Sequence, residues 1–186
     1  MSKILCIGLG KLGLIFSNIL AEKKNIVYGY DINSSIEKKI KKNTKDLEPK
    51  LNYLINKNKK RFFFEKNFSI SVKKTNYAFI IVPTPSLKNH SFDNQYIVQS
   101  LNSICKHLKY KRRYLINITS TVNPGSCNHF INYIEKKFKL KHGKEFILTY
   151  NPHLIALGSI YENVINSDLV IVGSDLPIGF KIIKNI

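Results

Sequence analysis

The stretch Gly8-Leu9-Gly10-Lys11-Leu12-Gly13 decides the fold of this chain. It follows the apolar run Lys3–Gly8, which predicts a buried strand. It leads into Lys11–Glu22, whose apolar residues recur at helical spacing. A G-x-G-x-x-G pattern is weak evidence alone, but between a strand and an amphipathic helix it predicts a dinucleotide site.

Each glycine of this loop meets a different requirement. Gly8 permits a tight turn, Gly10 lets the backbone approach a pyrophosphate, and Gly13 lets the helix pack closely on the strand. The pyrophosphate would then meet the N–H groups that open the helix, around Lys11 and Leu12, and the positive end of the helix dipole. The Lys11 side chain would either add a favourable charge or remain solvated.

A carboxylate ends the second predicted strand, Ile26–Asp31. Asp31 lies 18 positions after Gly13, where an acid can accept hydrogen bonds from the ribose hydroxyls of the adenosine. The same carboxylate would repel a 2′-phosphate, so we expect NAD rather than NADP. The alternative is that Asp31 is only a turn or capping acid before Asn33-Ser34-Ser35.

Strand and helix patterns alternate along the rest of the chain. Further strands are expected over Phe68–Val72, Tyr77–Val82, Tyr114–Thr119, Phe146–Tyr150 and Asp168–Gly173. Further helices are expected over Ser34–Lys42 with Ser34 as N-cap, Glu48–Lys59, Tyr96–Leu108, Ser126–Phe138 and from Pro177 onward. The expected fold class is α/β, a doubly wound parallel sheet of the Rossmann type. We expect residues 1–175 to form the NAD-binding domain and 176–186 to begin the connection to a second half.

The composition shows a large positive charge but few arginines, the residue type best suited to recognising phosphate and guanine. The 186 residues include 30 Lys and Arg against 12 Asp and Glu, a net charge of +18. Only three of the basic residues are Arg, and the Lys, Asn and Ile that abound share A/T-rich codons. We therefore expect no specific nucleic-acid partner, although the charge could help to attract an anionic nucleotide.

The chain carries no sign of a membrane segment, a disulfide framework or a metal site. No apolar run reaches the roughly 18 residues that a span needs, and no secretory signal is expected, so we expect no membrane partner. Three widely spaced cysteines, Cys6, Cys105 and Cys127, fit a reducing cytoplasm. The five histidines have no metal-ligand spacing, so we expect no metal.

Four further motifs extend the pattern beyond a generic dinucleotide fold. They are Glu48-Pro49, Val82-Pro83-Thr84-Pro85, Ser120-Thr121-Val122-Asn123-Pro124-Gly125 and Asn151-Pro152-His153-Leu154-Ile155-Ala156-Leu157-Gly158-Ser159. In this order and spacing they resemble the N-terminal half of the nucleotide-sugar dehydrogenases. That family includes the UDP-glucose, UDP-N-acetylmannosamine and GDP-mannose dehydrogenases. The resemblance runs from Lys3 to about Ser174.

The resemblance implies which residues line the cleft. Val82, Pro83 and Thr84 follow one strand, and Ser120 and Thr121 follow the next, at the strand ends where open α/β sheets bind ligands. These residues would contact NAD, with Thr121 also near the reacting centre or a catalytic water. The alternative is that the hydroxyls of these motifs only form turns or cap the following helix.

The resemblance also implies a reaction that this chain would not complete alone. The family oxidises the C6 alcohol of a UDP-sugar toward a uronic acid, and its nucleophilic Cys, Lys and Asn lie in the second half. None of the three cysteines here matches that nucleophile. The chain could be a fragment, a truncated reading frame, or one piece of a split enzyme whose second chain supplies the sugar-nucleotide domain. In each case we expect the isolated chain to be inactive.

Several positions depart from the family pattern. His153 stands where a Glu is common in the family. Because imidazole can also move protons near neutral pH, His153 is a candidate catalytic residue, together with Thr121. Leu157, Lys50 and Asn123 also replace common family residues. The alternative function is a non-catalytic NAD-binding module. A β-hydroxyacid or 6-phosphogluconate dehydrogenase is disfavoured by the Val82–Pro85 and Ser120–Val122 motifs.

Overall fold

The parallel sheet begins at the glycine loop and grows to both sides of it. A computed structural model describes residues 1–42, 50–108, 113–153 and 159–186. Strand β1 (Lys3–Ile7) is followed by helix α1 (Lys11–Glu22) and by β2 (Ile26–Tyr30). The later elements are α2 (Ser35–Lys42), α3 (Leu51–Lys57), β3 (Phe62–Phe64), α4 (Phe68–Lys74), β4 (Tyr77–Ile80), α5 (Gln95–Cys105), β5 (Tyr114–Ile118), α6 (Ser126–Phe138), β6 (Phe146–Tyr150), α7 (Ile160–Ile165) and α8 (Pro177–Lys184).

The six strands pair in the order β3-β2-β1-β4-β5-β6, and every pairing is parallel. The chain builds outward from β1 to β3, then returns to add β4 on the other side of β1. The loops after β1 and β4 therefore diverge, which opens a crevice at the carboxyl ends of these strands. The expected α/β doubly wound fold is confirmed.

The core lies on both faces of this sheet, because successive strand residues point to opposite sides. On β1, Leu5 and Ile7 join the cluster that packs under α5 and α6, whereas Ile4 and Cys6 join the cluster that packs under α1. All four side chains are buried. Burial on both faces explains why the strand sequences are continuous apolar runs rather than alternating patterns.

Two of the expected strands are wrong. Phe68–Val72 is part of helix α4, because the Asn67 side chain caps it by accepting a hydrogen bond from Ile70 N–H at 3.2 Å. Its apolar residues fit helical spacing as well as strand alternation. Asp168–Gly173 forms no strand: only Gly173 pairs with the sheet, antiparallel to Tyr150, and Leu169 and Val170 stay exposed.

Other boundaries differ by small amounts. The strands expected to reach Val82 and Thr119 end at Ile80 and Ile118, whereas α2 begins at Ser35, as expected for a helix with Ser34 at its N-cap position. The sequence patterns did not indicate the short elements β3 and α7. Glu48-Pro49 and residues 154–158 lie outside the described residues. The helix expected from Pro177 is present as α8 and packs on β6. The division at residue 175 stays a prediction.

Candidate functional site

A cleft of about 910 Å³ opens at the carboxyl ends of the strands. It lies between β1 and β4, where the strand order of the sheet reverses. Every residue that the sequence indicated for cofactor binding or catalysis lines it. These residues are Gly8, Gly10, Lys11, Leu12, Gly13, Asp31, Val82, Pro83, Thr84, Ser120, Thr121 and His153. Five separate loops thus converge on one cavity.

The glycine loop has the geometry that its sequence predicts. Gly8 has a φ of +91°, and a Cβ there would overlap the Ile81 carbonyl oxygen. A Cβ at Gly13 would overlap the Gly8 carbonyl oxygen, so helix α1 could not pack as closely. At Gly10, by contrast, a Cβ would meet nothing within 4 Å. Gly8 and Gly13 are therefore required by the fold, whereas Gly10 faces open space at the cleft.

Helix α1 presents its amino end to this open space. Gly10 is the N-cap, and no side chain accepts a hydrogen bond from the first turn. The first N–H groups of a helix have no partner within it, and they carry the positive end of its dipole. The loop therefore provides an anion site built from backbone, with the exposed Lys11 side chain beside it.

Asp31 is fixed on both of its carboxylate oxygens. Oδ2 accepts a hydrogen bond from Leu9 N–H at 2.6 Å, and Oδ1 accepts one from Asn33 N–H at 2.8 Å. Asp31 therefore closes a local turn, as the alternative interpretation held, and also holds the glycine loop. Each oxygen keeps a further lone pair that can accept from a hydroxyl in the cleft.

The Ser120 hydroxyl joins the loops after β4 and β5. Its Oγ accepts from Val82 N–H at 2.8 Å and donates to the Val82 carbonyl oxygen at 2.7 Å. Ser120 is buried, so this pair of hydrogen bonds is shielded from water. We infer that Ser120 acts mainly by holding the Val82–Pro85 loop in place.

Thr84 and Thr121 are open to the cleft. Thr121 is exposed and Thr84 is half-buried. Neither caps helix α6, because Gly125, with a φ of +82°, occupies its N-cap position and no side chain caps that helix. The helix-cap interpretation of Ser120 and Thr121 is therefore wrong, since the helix starts five residues beyond Thr121.

His153 is half-buried at the base of the cleft. Its ring packs against Phe16, with centroids 4.8 Å apart and an interplanar angle of 58°. Burial lowers the pKa of the His153 imidazole, so the ring is neutral at neutral pH. Its Nε2 atom has no hydrogen-bond partner among the described residues. A neutral imidazole is able to accept a proton, but this nitrogen is buried and does not reach the open part of the cleft.

One wall of the cleft was not predicted from the sequence. Tyr30 and Phe68 form an edge-to-face pair there, with ring centroids 4.8 Å apart. One face of helix α5 completes the wall through Tyr96, Gln99, Ser100 and Ser103. These helix residues recur at spacings of three and four, and this polar stripe on the Tyr96–Leu108 pattern was the available signal.

The three cysteines are poor nucleophiles where they stand. Burial raises the pKa of Cys6 and Cys105 to about 12, and burial together with Asp175 raises the pKa of Cys127 to about 11. Thiols with such pKa values stay protonated at neutral pH. Cys127 lines a second cavity of about 450 Å³, beside Asp175 and the start of α6.

No helix within the described ranges combines the length and the apolar character that crossing a bilayer requires. Likewise, the described His, Cys, Asp and Glu side chains form no group of three or more that could hold a metal ion.

Comparisons with known proteins agree with this geometry. Residues 2–186 match the model of the UDP-glucose/GDP-mannose dehydrogenase family, NAD binding domain. The chain is 31% identical over 170 residues to the UDP-glucose 6-dehydrogenase of Rickettsia typhi, covering 90% of this chain and 38% of that protein. It is 30% identical to the UDP-N-acetyl-D-mannosamine dehydrogenase of Methanocaldococcus jannaschii, covering 93% of this chain and 39% of that protein.

Solved structures show the same fold. The GDP-mannose dehydrogenase of Pseudomonas aeruginosa superposes with a TM-score of 0.92 at 24% identity, covering 98% of this chain and 43% of that one. The chain thus spans about two fifths of the length of these relatives. It belongs to the UDP-glucose/GDP-mannose dehydrogenase family and corresponds to the NAD-binding domain of that family.

Proposed function

We propose that NAD binds across the cleft, with its pyrophosphate at Gly10 and the first turn of α1 and its adenosine ribose at Asp31. The observation that carries this proposal is the joint presence of an uncapped helix N-terminus and a fixed carboxylate, linked by the Leu9–Asp31 hydrogen bond. The helix end favours the negative pyrophosphate, and the carboxylate favours neutral ribose hydroxyls over a 2′-phosphate.

The residues present fit a dinucleotide. The open space at Gly10 lets a pyrophosphate reach the backbone, whereas a side chain there would stand in its way. The cleft volume of about 910 Å³ lies at the upper end of the range for small-molecule sites. Val82 and Pro83 offer apolar surface on one side, and Thr84 and Thr121 offer hydroxyls for the nicotinamide end.

We further propose that the chain is the NAD-binding half of an enzyme that oxidises the C6 alcohol of a UDP-sugar toward a uronic acid. NAD supplies the hydride acceptor for such a reaction. The family assignment and the UDP-sugar relatives support this substrate class. The sugar-nucleotide site and the nucleophilic thiol would come from a second segment or a second chain, because Cys6 and Cys105 are buried and the raised pKa of all three cysteines keeps them protonated.

Within this reaction we assign a proton-transfer role to His153 and a positioning role to Thr121. The ring of His153 is neutral and its buried Nε2 has no partner among the described residues, so it can receive a proton once binding of the substrate brings a donor to it. Thr121 is exposed at the end of β5 and can donate or accept a hydrogen bond. Free cysteines are compatible with a reducing cytoplasm as the working compartment.

An assay of the isolated chain tests this function. We expect NAD to bind and no NADH to form with UDP-glucose or UDP-N-acetylmannosamine, because this proposal places the sugar-nucleotide site and the nucleophilic thiol outside these 186 residues. Formation of NADH by the chain alone would contradict the proposal.

A second candidate function, a non-catalytic NAD-binding module, is favoured by His153 at a position where the family commonly has Glu. A fusion separates the two functions: this chain replaces the NAD-binding domain of the Rickettsia typhi enzyme, and NADH formation with UDP-glucose is measured. Turnover that falls in the His153→Ala fusion supports the catalytic function. If the unchanged fusion binds NAD without forming NADH, and the His153→Glu fusion does form NADH, the result supports the non-catalytic module.

A further inference from the structure

Among the described loops of this chain, basic side chains are concentrated at one edge of the sheet. We define the amino edge as the described loop residues that lead from a helix into the next strand: 23–25, 58–61, 75–76, 106–108 with 113, and 139–145. These residues include ten basic side chains and one acidic side chain, Glu145. All ten basic residues are exposed: Lys23, Lys24, Lys59, Lys60, Arg61, Lys106, Arg113, Lys139, Lys141 and Lys144.

The opposite edge, which holds the cleft, is close to neutral. The described loop residues that lead from a strand into the next helix are 8–10, 31–34, 65–67, 81–94, 119–125, 151–153 and 159. They contain two basic side chains, Lys66 and Lys88, and three acidic ones, Asp31, Glu65 and Asp93. An anionic dinucleotide binding at this edge therefore does not account for the lysines at the other.

Coding bias and helix dipoles do not explain the difference. A/T-rich codons supply Lys to every exposed position alike and cannot favour one edge. Five helices, α1, α3, α4, α5 and α6, end at the amino edge, and each contributes about −0.5 charge that fades within its last turn. Their sum of about −2.5 is far below the ten basic side chains, and Lys60, Arg61 and Lys141 lie beyond any last turn.

The amino edge is broad rather than grooved. The strands start in near register, with Ile4 opposite Tyr77, Tyr77 opposite Leu115 and Tyr114 opposite Phe146. At a spacing of about 4.8 Å, six parallel strands spread the basic loops over about 24 Å. Both of the cavities described above lie at the other edge. A broad face fits a planar anionic surface better than a single strand that needs a groove.

The type of basic residue favours lipid headgroups over nucleic acid. Eight of the ten side chains are Lys, a mobile point charge, and two are Arg, whose planar fork recognises phosphate and guanine. Clusters of basic residues bind the anionic cytoplasmic leaflet through diffuse attraction to headgroups that can move laterally. No large apolar side chain is exposed among the described amino-edge residues, so the attraction would be electrostatic.

We propose that the amino edge of the sheet is a peripheral docking surface for a membrane rich in acidic phospholipids. The absence of a long apolar run in the sequence predicted no membrane partner, but peripheral docking needs no membrane-spanning segment. Docking by this edge turns the cleft at the opposite edge away from the lipid. The cleft then stays accessible to NAD and to a partner domain while the chain is held at the membrane.

Vesicle sedimentation tests the proposal. Purified chain is mixed with phosphatidylcholine vesicles that contain either no acidic lipid or about 30 mol % phosphatidylserine, at about 0.1 M salt. The variant Lys59→Glu/Lys60→Glu/Arg61→Glu removes part of the amino edge. The control Lys38→Glu/Lys66→Glu/Lys88→Glu changes the net charge equally at exposed positions outside that edge. Equal melting temperatures of both variants and the wild type show that folding is retained.

We expect the wild type to bind only the acidic vesicles and to be released at about 0.5 M salt, where the screening length is about 4 Å. Each basic residue near an anionic surface strengthens partitioning about fivefold, so the amino-edge variant should bind at least about 100-fold more weakly. The control should stay within about tenfold of the wild type.

Three results would overturn the proposal. The first is no binding of the wild type to acidic vesicles. The second is an equal loss of binding in the amino-edge variant and in the control, which would show a response to net charge alone. The third is tighter binding of single-stranded poly-U than of the acidic vesicles at the same salt, with the same loss in the amino-edge variant, which would assign the edge to nucleic acid.

Discussion

The Asp31 carboxylate accepts a hydrogen bond from Leu9 N–H at 2.6 Å and so joins the end of β2 to the glycine loop. This one contact connects the two halves of the proposed cofactor site. The acid proposed to select the ribose also fixes the backbone proposed to hold the pyrophosphate. Changes at Asp31 should therefore affect both the loop and the cofactor.

Replacement of Asp31 tests this coupling. Asp31→Ala should weaken NAD binding by about 1 to 3 kcal/mol, because it removes the ribose acceptor and leaves Leu9 N–H without its partner. Asp31→Asn keeps one oxygen for Leu9 and should lose less. Calorimetric titration with NAD measures both. An Asp31→Ala affinity equal to that of the wild type would show that the Asp31 assignment is incorrect.

Gly10 and Gly13 form a matched pair, since the same added methyl group should lower the stability of the fold at Gly13 and weaken NAD binding at Gly10. Gly13→Ala should destabilise the fold by about 2 kcal/mol or more, because the methyl overlaps the Gly8 carbonyl oxygen. Gly10→Ala meets open space and should cost less than about 1 kcal/mol, yet weaken NAD binding at least about tenfold. Chemical denaturation and NAD titration of both variants provide the check. Strong NAD binding by Gly10→Ala would argue against a pyrophosphate at this position.

Ser120 should contribute more to the free energy of unfolding than the adjacent Thr121 does. Ser120→Ala leaves the N–H and carbonyl groups of Val82 without partners in a shielded place and should cost about 1 to 3 kcal/mol. Thr121→Val, at an exposed position, should change the free energy of unfolding by less than about 0.5 kcal/mol. Urea denaturation curves compare the two. Equal stabilities would mean that the Ser120 contacts hold nothing in place.

His153 should make stability depend on pH below neutrality. Its pKa is lower in the folded state than in the unfolded chain, so the unfolded chain binds the proton first as pH falls. The free energy of unfolding should therefore decrease as pH falls through about 6.5 toward the folded-state pKa. Above that window the His153 contribution is constant.

The variant His153→Gln isolates this contribution. It should flatten the decline in the free energy of unfolding below neutral pH, whereas His129→Gln, at an exposed position of α6, should leave the decline as in the wild type. Urea denaturation at a series of pH values measures the slopes. Parallel curves for His153→Gln and the wild type would contradict the burial of a neutral imidazole.

Much of the fold could be predicted because long, strongly periodic segments leave little choice. Lys11–Glu22 and Ser126–Phe138 have the same boundaries in the sequence pattern and in the structure. The position of the glycine loop could be predicted from the sequence because steric limits at Gly8 and Gly13 admit no other residue. All the residues indicated for the site line one cleft, since they follow the carboxyl ends of parallel strands.

Short segments were harder because their patterns fit two structures. Phe68–Val72 fits both a strand and a helix, and the Asn67 cap, a single side-chain hydrogen bond, favours the helix. The apolar run Asp168–Gly173 is typical of a buried strand, but the described sheet pairs only its last residue. An apolar sequence pattern indicates that a segment tends to be buried. Whether the segment forms a strand depends also on whether another strand lies close enough to pair with it.

The concentration of basic residues at one edge could not be seen in the sequence alone. Lys23–Lys24, Lys59–Arg61 and Lys139–Lys144 are far apart along the chain, so their positions in the sequence do not show that they share one edge. The parallel topology brings them together, because every right-handed crossover returns the chain to the same edge before the next strand.

A calorimetric titration of the purified chain with NAD, and with NADP as the control, tests the central claim most directly. We predict binding in the micromolar to sub-millimolar range for NAD and weaker binding for NADP, because the Asp31 carboxylate repels a 2′-phosphate. Absence of binding for both dinucleotides, in a chain that unfolds cooperatively, would contradict the account.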